Sequence, residues 1–187
     1  GMHQGRVNWD QLGDHSVHNA LAAIAAARHA GVPLAQSIAA LGEFRGVKRR
    51  MEVRGEVNGI TVYDDFAHHP TAIATTLQGL RRRVGDARIL LLLEPRSNTM
   101  RMGVHRDSLA ASMQGADGIW LHQPADIEWS LSEEMHSCSM RVVIMDSIAA
   151  ITADGVSKAQ PGDHILVVSN GGCGGGHEKI VKALQDA

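Results

Sequence analysis

The chain has 187 residues and a mass of 20.0 kDa, a length that fits one domain or slightly more, and a folded chain of that size buries roughly 70% of its unfolded surface. Its 44% hydrophobic and 20% charged residues exclude a disordered chain, and its longest alanine-rich apolar run, Ala20 to Ala27, is too short to cross a bilayer. The net charge of -2 conceals a division: residues 45–106 hold 12 basic and 6 acidic side chains (+6), the remainder 6 basic and 14 acidic (-8). Such a basic island in an acidic chain suits an anionic small molecule better than a nucleic acid duplex.

In chain order, Val17, Leu21 and Ile24, followed by Ala27 and Ala30, recur at helical spacing and predict a helix over 16–30 that stops at Gly31. Pro33 suits a first helical turn, and Leu34, Ile38 and Leu41 carry the period to Gly42. Two short helices cannot build a core alone. Residues 1–46 are therefore expected to be the helical tail of a preceding domain, and 47–187 a separate domain.

After the basic stretch from Phe44 to Arg50 the period changes. Asn58-Gly59 separates extended segments at 51–57 and 60–64, a strong hairpin signal because both residues tolerate positive φ. Helical and extended segments then alternate: helix 70–83, strand 88–93, helix 104–113, strand 118–122, a weaker helix near 131–136, strand 142–145, helix 147–158, strand 164–169 and helix 177–185. With continuous apolar runs such as Ile89 to Leu93, this alternation predicts a Rossmann-like α/β fold. Its sheet is mainly parallel, covered on both faces and entered through an N-terminal antiparallel hairpin. Ligands of such sheets bind at the carboxyl ends of the strands, here after Asp64, Leu93, Leu121, Met145 and Val168.

Three of those strand ends carry chemistry. Asp64-Asp65-Phe66-Ala67-His68-His69-Pro70 sets carboxylates and imidazoles before a helix N-terminus, suited to a ribose hydroxyl, a phosphate or a metal, although no third metal ligand stands at motif spacing. Glu94-Pro95-Arg96-Ser97-Asn98-Thr99-Met100-Arg101 presents an arginine fork beside small polar groups, a carboxylate reader or a loop ion pair. Ser169 to Gly176 is a glycine-rich turn before a helix, without the ending of a P-loop or a dinucleotide fingerprint. Cys173 in that turn stands at a helix start, where a thiol pKa falls, but has no assigned base. Arg81-Arg82-Arg83 at a helix end suits the helix dipole and is read as structural. Only 3% of residues are aromatic, too few for stacked single strands. The two cysteines have no CxxC spacing, and with no basic-apolar leader the cytoplasm is the expected compartment.

In combination, Gly13-Asp14-His15-Ser16-Val17-His18-Asn19-Ala20, Gly46-Val47-Lys48-Arg49-Arg50-Met51-Glu52 and Asp64-Asp65-Phe66-Ala67-His68-His69-Pro70-Thr71 closely resemble the Mur ligase family, ATP-dependent amide-forming enzymes of peptidoglycan synthesis. The resemblance covers the end of that family's central domain and essentially all of its C-terminal domain. Glu94 to Met100 looks most like the members that recycle peptide by joining UDP-N-acetylmuramate to L-alanyl-γ-D-glutamyl-meso-diaminopimelate. The L-alanine-adding members, with Pro-His-Arg after the corresponding strand, and the folylpolyglutamate synthases are alternatives. A non-catalytic Rossmann-like binding module is the alternative of another class.

The resemblance implies ATP and Mg2+, with Asn19 at the adenine, Arg50 and Asp65 at the ribose and nearby phosphate, and His68 close to the phosphates. It implies that Arg96, Ser97, Asn98, Thr99, Gly174 and Gly175 face the incoming peptide, and it assigns no catalytic side chain or metal ligand. The family's His-Asn pair is His15-Ser16 here, while Asn19 is in place. The sequence has no GxxGK[ST], the element that grips β and γ phosphates. The N-terminal and central domains are accordingly expected in cis, and the chain by itself is expected to be inactive. The expected partners are those domains and the two substrates, with no nucleic acid and no membrane span.

Overall fold

Helix α1 (Asp14–His29) begins two residues before the predicted start, because Ser16 closes its first turn: its N–H donates to Gly13 O at 3.0 Å and its hydroxyl to Leu12 O at 2.7 Å. Only Ala20 of this helix is buried, and Val17 and Leu21, expected to face a core, are 51% and 59% exposed. In α2 (Leu34–Glu43), Pro33 is the capping residue rather than the first turn, since its ψ of 138° is extended. The computed structural model describes residues 2–127, 129–171 and 173–186, apart from the side chains of Ser137 and Cys173.

The hairpin forms as predicted. Strands β1 (Glu52–Val57) and β2 (Ile60–Asp65) pair antiparallel around Asn58 and Gly59, whose φ values of 52° and 74° a two-residue turn of this hand requires. Then follow α3 (Pro70–Val84), β3 (Ile89–Glu94), α4 (Asn98–Arg101), α5 (Arg106–Ser112) and β4 (Gly118–His122). The chain closes with α6 (Leu131–Glu134), β5 (Arg141–Met145), α7 (Ile148–Lys158), β6 (His164–Ser169) and α8 (Gly176–Gln185). The short α4 lies in the stretch read as a polar loop: the Ser97 hydroxyl accepts the Met100 N–H at 3.3 Å and so nucleates one turn.

The six strands lie in the order β1-β2-β6-β3-β4-β5, parallel except for the first pair. Strand alternation divides the apolar runs between two cores. Leu91, Leu93, Ile119, Leu121 and Leu166 meet Ile73, Leu77 and Leu80 of α3 on one face, while Leu90, Leu92, Trp120, Ile165 and Val167 meet Ile151 of α7 and Ile180 of α8 on the other. The last strand therefore sits in the middle of the sheet. Its carboxyl end lies between those of β2 and β3, in register Asp65↔Val168 and Glu94↔Ser169.

The start of α1 docks on α3 by close backbone approach: a Cβ on Gly79 would stand 3.3 Å from Gly13 Cα, and Arg82 pairs with Asp14 beside that contact. At the opposite end of the sheet from the loops of interest, His164 shares a hydrogen bond of 3.2 Å with Tyr63 Oη, and burial holds its pKa below the usual histidine value. An unfolded chain thus binds more protons than the folded one as pH falls through about 6.5. Stability should decline from there toward the folded pKa, and His164→Gln should flatten that decline, as read from urea denaturation at pH 7.5 and 5.5.

Candidate functional site

Asp64 and Asp65 are consecutive on β2, so their side chains project to opposite faces of the sheet. Asp64, 1% exposed, accepts Arg49 Nε at 3.2 Å and lies 3.8 Å from His177 Nδ1. The same arginine donates from Nη2 to Ser169 O at 2.6 Å and lies 5.1 Å over the Phe66 ring. Asp65 accepts the N–H groups of Ala67 and Met51, each at 2.8 Å, and the Thr76 hydroxyl at 3.4 Å. Burial pushes its carboxyl above the ordinary carboxylate value; the Ala67 and Met51 N–H bonds and the Arg50 charge pull the other way.

These bonds hold a strained linker. Arg49 and Met51 have φ of 58° and 50°, left-handed conformations that cost a side-chain-bearing residue about 1 to 2 kcal/mol. Arg49 N donates to Glu52 at 2.8 Å, Met51 N to Asp65, and Phe66 N to Arg49 O at 2.9 Å, so both residues are over-determined. Arg50, between them, is exposed and directed to an open cleft.

That cleft has a volume of about 760 Å³ and lies between the helical segment and the carboxyl end of β2. Ala20 and Ala23 of α1, Leu41 of α2, Trp9, Phe44 and Val47 supply a largely carbon wall, with the polar side chains of Gln11, His15, Ser16 and Asn19 set in it. Arg50, Asp65, His69 and the first turns of α3, at Thr71, Ala72, Thr75 and Thr76, form the polar side. A planar base fits such a wall, where Asn19 can donate and accept on one edge. Anions suit the other side, where a guanidinium meets the N-terminal end of a 15-residue helix.

Of the four residues expected around a nucleotide, the cleft brings together Asn19, Arg50 and Asp65. His68 is not among its lining residues. Its Nδ1 lies 3.0 Å from Phe66 O and its carbonyl faces the Ser97 hydroxyl at 3.5 Å, while His69 lines the cleft and packs edge-on against His105 with ring centroids 4.1 Å apart.

The second expected group surrounds the neighbouring strand ends. Arg96 packs so closely over Gly171 that a Cβ there would stand 2.6 Å from its Cδ, and its Nη1 lies 4.0 Å from Glu94. Glu94 is buried and accepts the Ser169 hydroxyl at 2.5 Å. Ser97 caps α4, its hydroxyl 3.2 Å from that of Thr99, and Asn98 and Thr99 are exposed. Gly174 and Gly175 have φ of 54° and 72°, the left-handed turn into α8 that glycine allows. The Cys173 side chain and Gly172 lie outside the described residues. The end of β5 lies farther along the sheet, whereas the segment after β4 reaches back to the Arg96 loop, where Trp129 Nε1 donates to Met100 O at 2.9 Å and Asp126 pairs with Arg101.

Sequence reasoning gave Arg49, Trp9 and Phe44 no individual role, and named Asp64 and His69 only as members of the loop that ends β2. The Asp64-Asp65 doublet carried a usable signal, since two charges ending a strand must serve both faces. Trp9 and Phe44 lie outside any helix or strand and carried none. The run at the end of α3 also divides. Arg81 donates to Gly85 O and Ala87 O, and Arg82 pairs with Asp14, as a structural role requires, but Arg83 makes no ion pair among the described residues.

A Rossmann-like α/β domain with an open cleft at the carboxyl end of β2 is the class that fold and site define. The family described as "Mur ligase, glutamate ligase domain" matches residues 49–171, and the chain belongs to the Mur ligase family. It is 52% identical over 185 residues to the UDP-N-acetylmuramate–L-alanyl-γ-D-glutamyl-meso-2,6-diaminoheptandioate ligase of Escherichia coli (strain K12), a match covering 98% of this chain and 40% of that protein. The crystal structure of a murein peptide ligase from Psychrobacter arcticus superposes with a TM-score of 0.76 at 44% identity, over 97% of this chain and 39% of that one. A MurF ligase from Thermotoga maritima, solved in complex with ADP, shares the fold at a TM-score of 0.68 and 16% identity, over 94% of this chain and 39% of that one. The chain spans about two fifths of the length of the curated relatives it matches.

Arg49→Ala would leave the Asp64 carboxylate buried without its cation and Ser169 O without its donor. The expected loss of stability is about 3 kcal/mol, the order found when one partner of a buried pair is removed. Urea denaturation of this variant and of Arg49→Lys, which keeps the charge, checks it.

Proposed function

We propose that the chain is the C-terminal portion of an ATP-dependent ligase that joins the carboxylate of UDP-N-acetylmuramate to the amine of L-alanyl-γ-D-glutamyl-meso-diaminopimelate. The observation that carries this reading is the convergence of Asn19, Arg50 and Asp65, from three separate segments, on one cleft. The relatives named above support the choice of substrates. In this proposal residues 1–46 are the tail of the central ATP-binding domain and 47–187 the C-terminal domain. The exposed Val17 and Leu21 would then pack against the rest of that central domain.

The reaction transfers the γ-phosphoryl group of ATP to the muramyl carboxylate, and the peptide amine attacks the resulting acyl phosphate. Inorganic phosphate then leaves the tetrahedral intermediate. This chain's residues bind and orient. Asn19 reads the adenine edge, and the start of α3 and Arg50 receive phosphate oxygens. Asp65, which already accepts two N–H groups and the Thr76 hydroxyl, keeps one lone pair on Oδ2 for a ribose hydroxyl. Arg96, with Ser97, Asn98, Thr99, Gly174 and Gly175, faces the peptide, where alignment of the amine supplies the main rate advantage. His68, whose carbonyl faces the Ser97 hydroxyl while its ring folds back on Phe66 O, lies between these two tasks.

Mg2+ accompanies ATP in this proposal. Among the described residues no three His, Cys, Asp or Glu side chains converge on a metal site, and no step is routed through the ion. No described helix is long and apolar enough to cross a membrane.

In the full-length protein, Asn19→Ala and Arg50→Ala should each raise KM for ATP about tenfold or more, the order expected for a lost polar or charge-assisted contact. Arg96→Ala should raise KM for the tripeptide and leave KM for ATP in place. Steady-state kinetics with each substrate varied in turn checks both, and unchanged ATP kinetics in the first two variants would remove those residues from the site.

A further inference from the structure

Twelve basic residues lie between 45 and 106. Eight of them form ion pairs: Arg49, Arg54, Arg81, Arg82, Arg88, Arg96, Arg101 and Arg106. Among the described residues the remaining four, Arg45, Lys48, Arg50 and Arg83, form none, and all four line a single groove of about 630 Å³ on the other side of the linker from the base-sized cleft. They reach it from separate elements, the linker and the last turn of α3.

Two carboxylates also line the groove. Glu52 is engaged, accepting Arg49 N at 2.8 Å and Arg54 Nη1 at 2.9 Å, and these partners hold its pKa below the usual value. Asp10 is left to face four cations. Like charges gathered on a concave surface repel one another and focus a positive potential, which a bound anion relieves. A single carboxylate engages one guanidinium, whereas a run of linked phosphates presents several charges and oxygens to groups spread over a groove.

We propose that this groove is a second anion site, for a ligand carrying two or more linked phosphate groups. It adjoins the first cleft through Arg50, which lines both. Because Arg45 and Gln11 belong to residues 1–46 while Arg83 belongs to the α/β unit, an occupant bridges the two parts of the chain and holds their relative orientation. A free polyphosphate and the phosphate tail of a nucleotide share this chemistry, and the experiment separates them.

The test is calorimetric titration of the full-length protein with tripolyphosphate, at low and physiological salt, with and without a saturating non-hydrolysable ATP analogue. One tripolyphosphate is expected to bind in both cases, more weakly at high salt. The Lys48→Ala/Arg83→Ala double variant should lose affinity about tenfold or more. The charge-preserving Lys48→Arg/Arg83→Lys pair should retain it, and Asn19→Ala should leave it unchanged. Unaltered melting temperatures show that the variants are folded.

Absence of binding overturns the proposal, as does binding that the Lys48→Ala/Arg83→Ala pair does not weaken. Complete displacement of tripolyphosphate by the ATP analogue also overturns it, since the groove would then hold only a nucleotide's tail. Should Asn19→Ala fail to affect the ATP analogue, the nucleotide reading of the first cleft falls while the test of the groove stands.

Discussion

Everything near the candidate site depends on how β2 ends. Two consecutive carboxylates leave the strand on opposite faces, and each captures part of the linker between the helical segment and the sheet: Asp64 takes the Arg49 guanidinium, and Asp65 takes the Met51 N–H. Residues 49 and 51 are thereby held in left-handed conformations, and Arg50 between them is aimed outward. Both Asp65 oxygens accept N–H groups, so an amide in its place would oppose a donor to a donor. The burial that raises its pKa is tolerated because the linker cannot otherwise be held.

The linker in turn organises the charge. A basic surplus read as one island separates physically into paired arginines that tie elements together and unpaired ones around two adjoining hollows. Arg81 shows the first kind, bridging the end of α3 to Gly115 and Asp117. Arg50 shows the second. Only three-dimensional proximity distinguishes them, since neighbours in sequence such as Arg49 and Arg50, or Arg82 and Arg83, fall on opposite sides of the division.

Much of the fold was legible because local physics specifies it. Asn58-Gly59 demands a hairpin, Pro70 opens a helix, and the continuous apolar β3 can only be a strand covered on both faces. The differences have local causes too. Pro33 caps α2 instead of opening it because its ψ is extended, and α4 forms where a serine hydroxyl happens to cap one turn. At the site, Asn19, Arg50 and Asp65 were recognisable as a pattern, whereas His69 in place of His68 at the cleft was not. Adjacent histidines look alike until the loop between β2 and α3 turns one ring toward Phe66 O.

By itself the sequence determined the kind and order of the elements and the family, and it pointed to the carboxyl ends as the expected place for chemistry. Those follow from periodicity, turn residues and short motifs, all of which act over a few residues. Tertiary structure decided which strand ends become neighbours. Strand β6, last along the chain, inserts between β2 and β3 and sets the Ser169 loop between the Asp65 and Arg96 loops. Parallel pairing needs long crossovers, so strand order is set by how distant apolar faces pack and not by any local signal. That choice of order turns three separate polar loops into one edge.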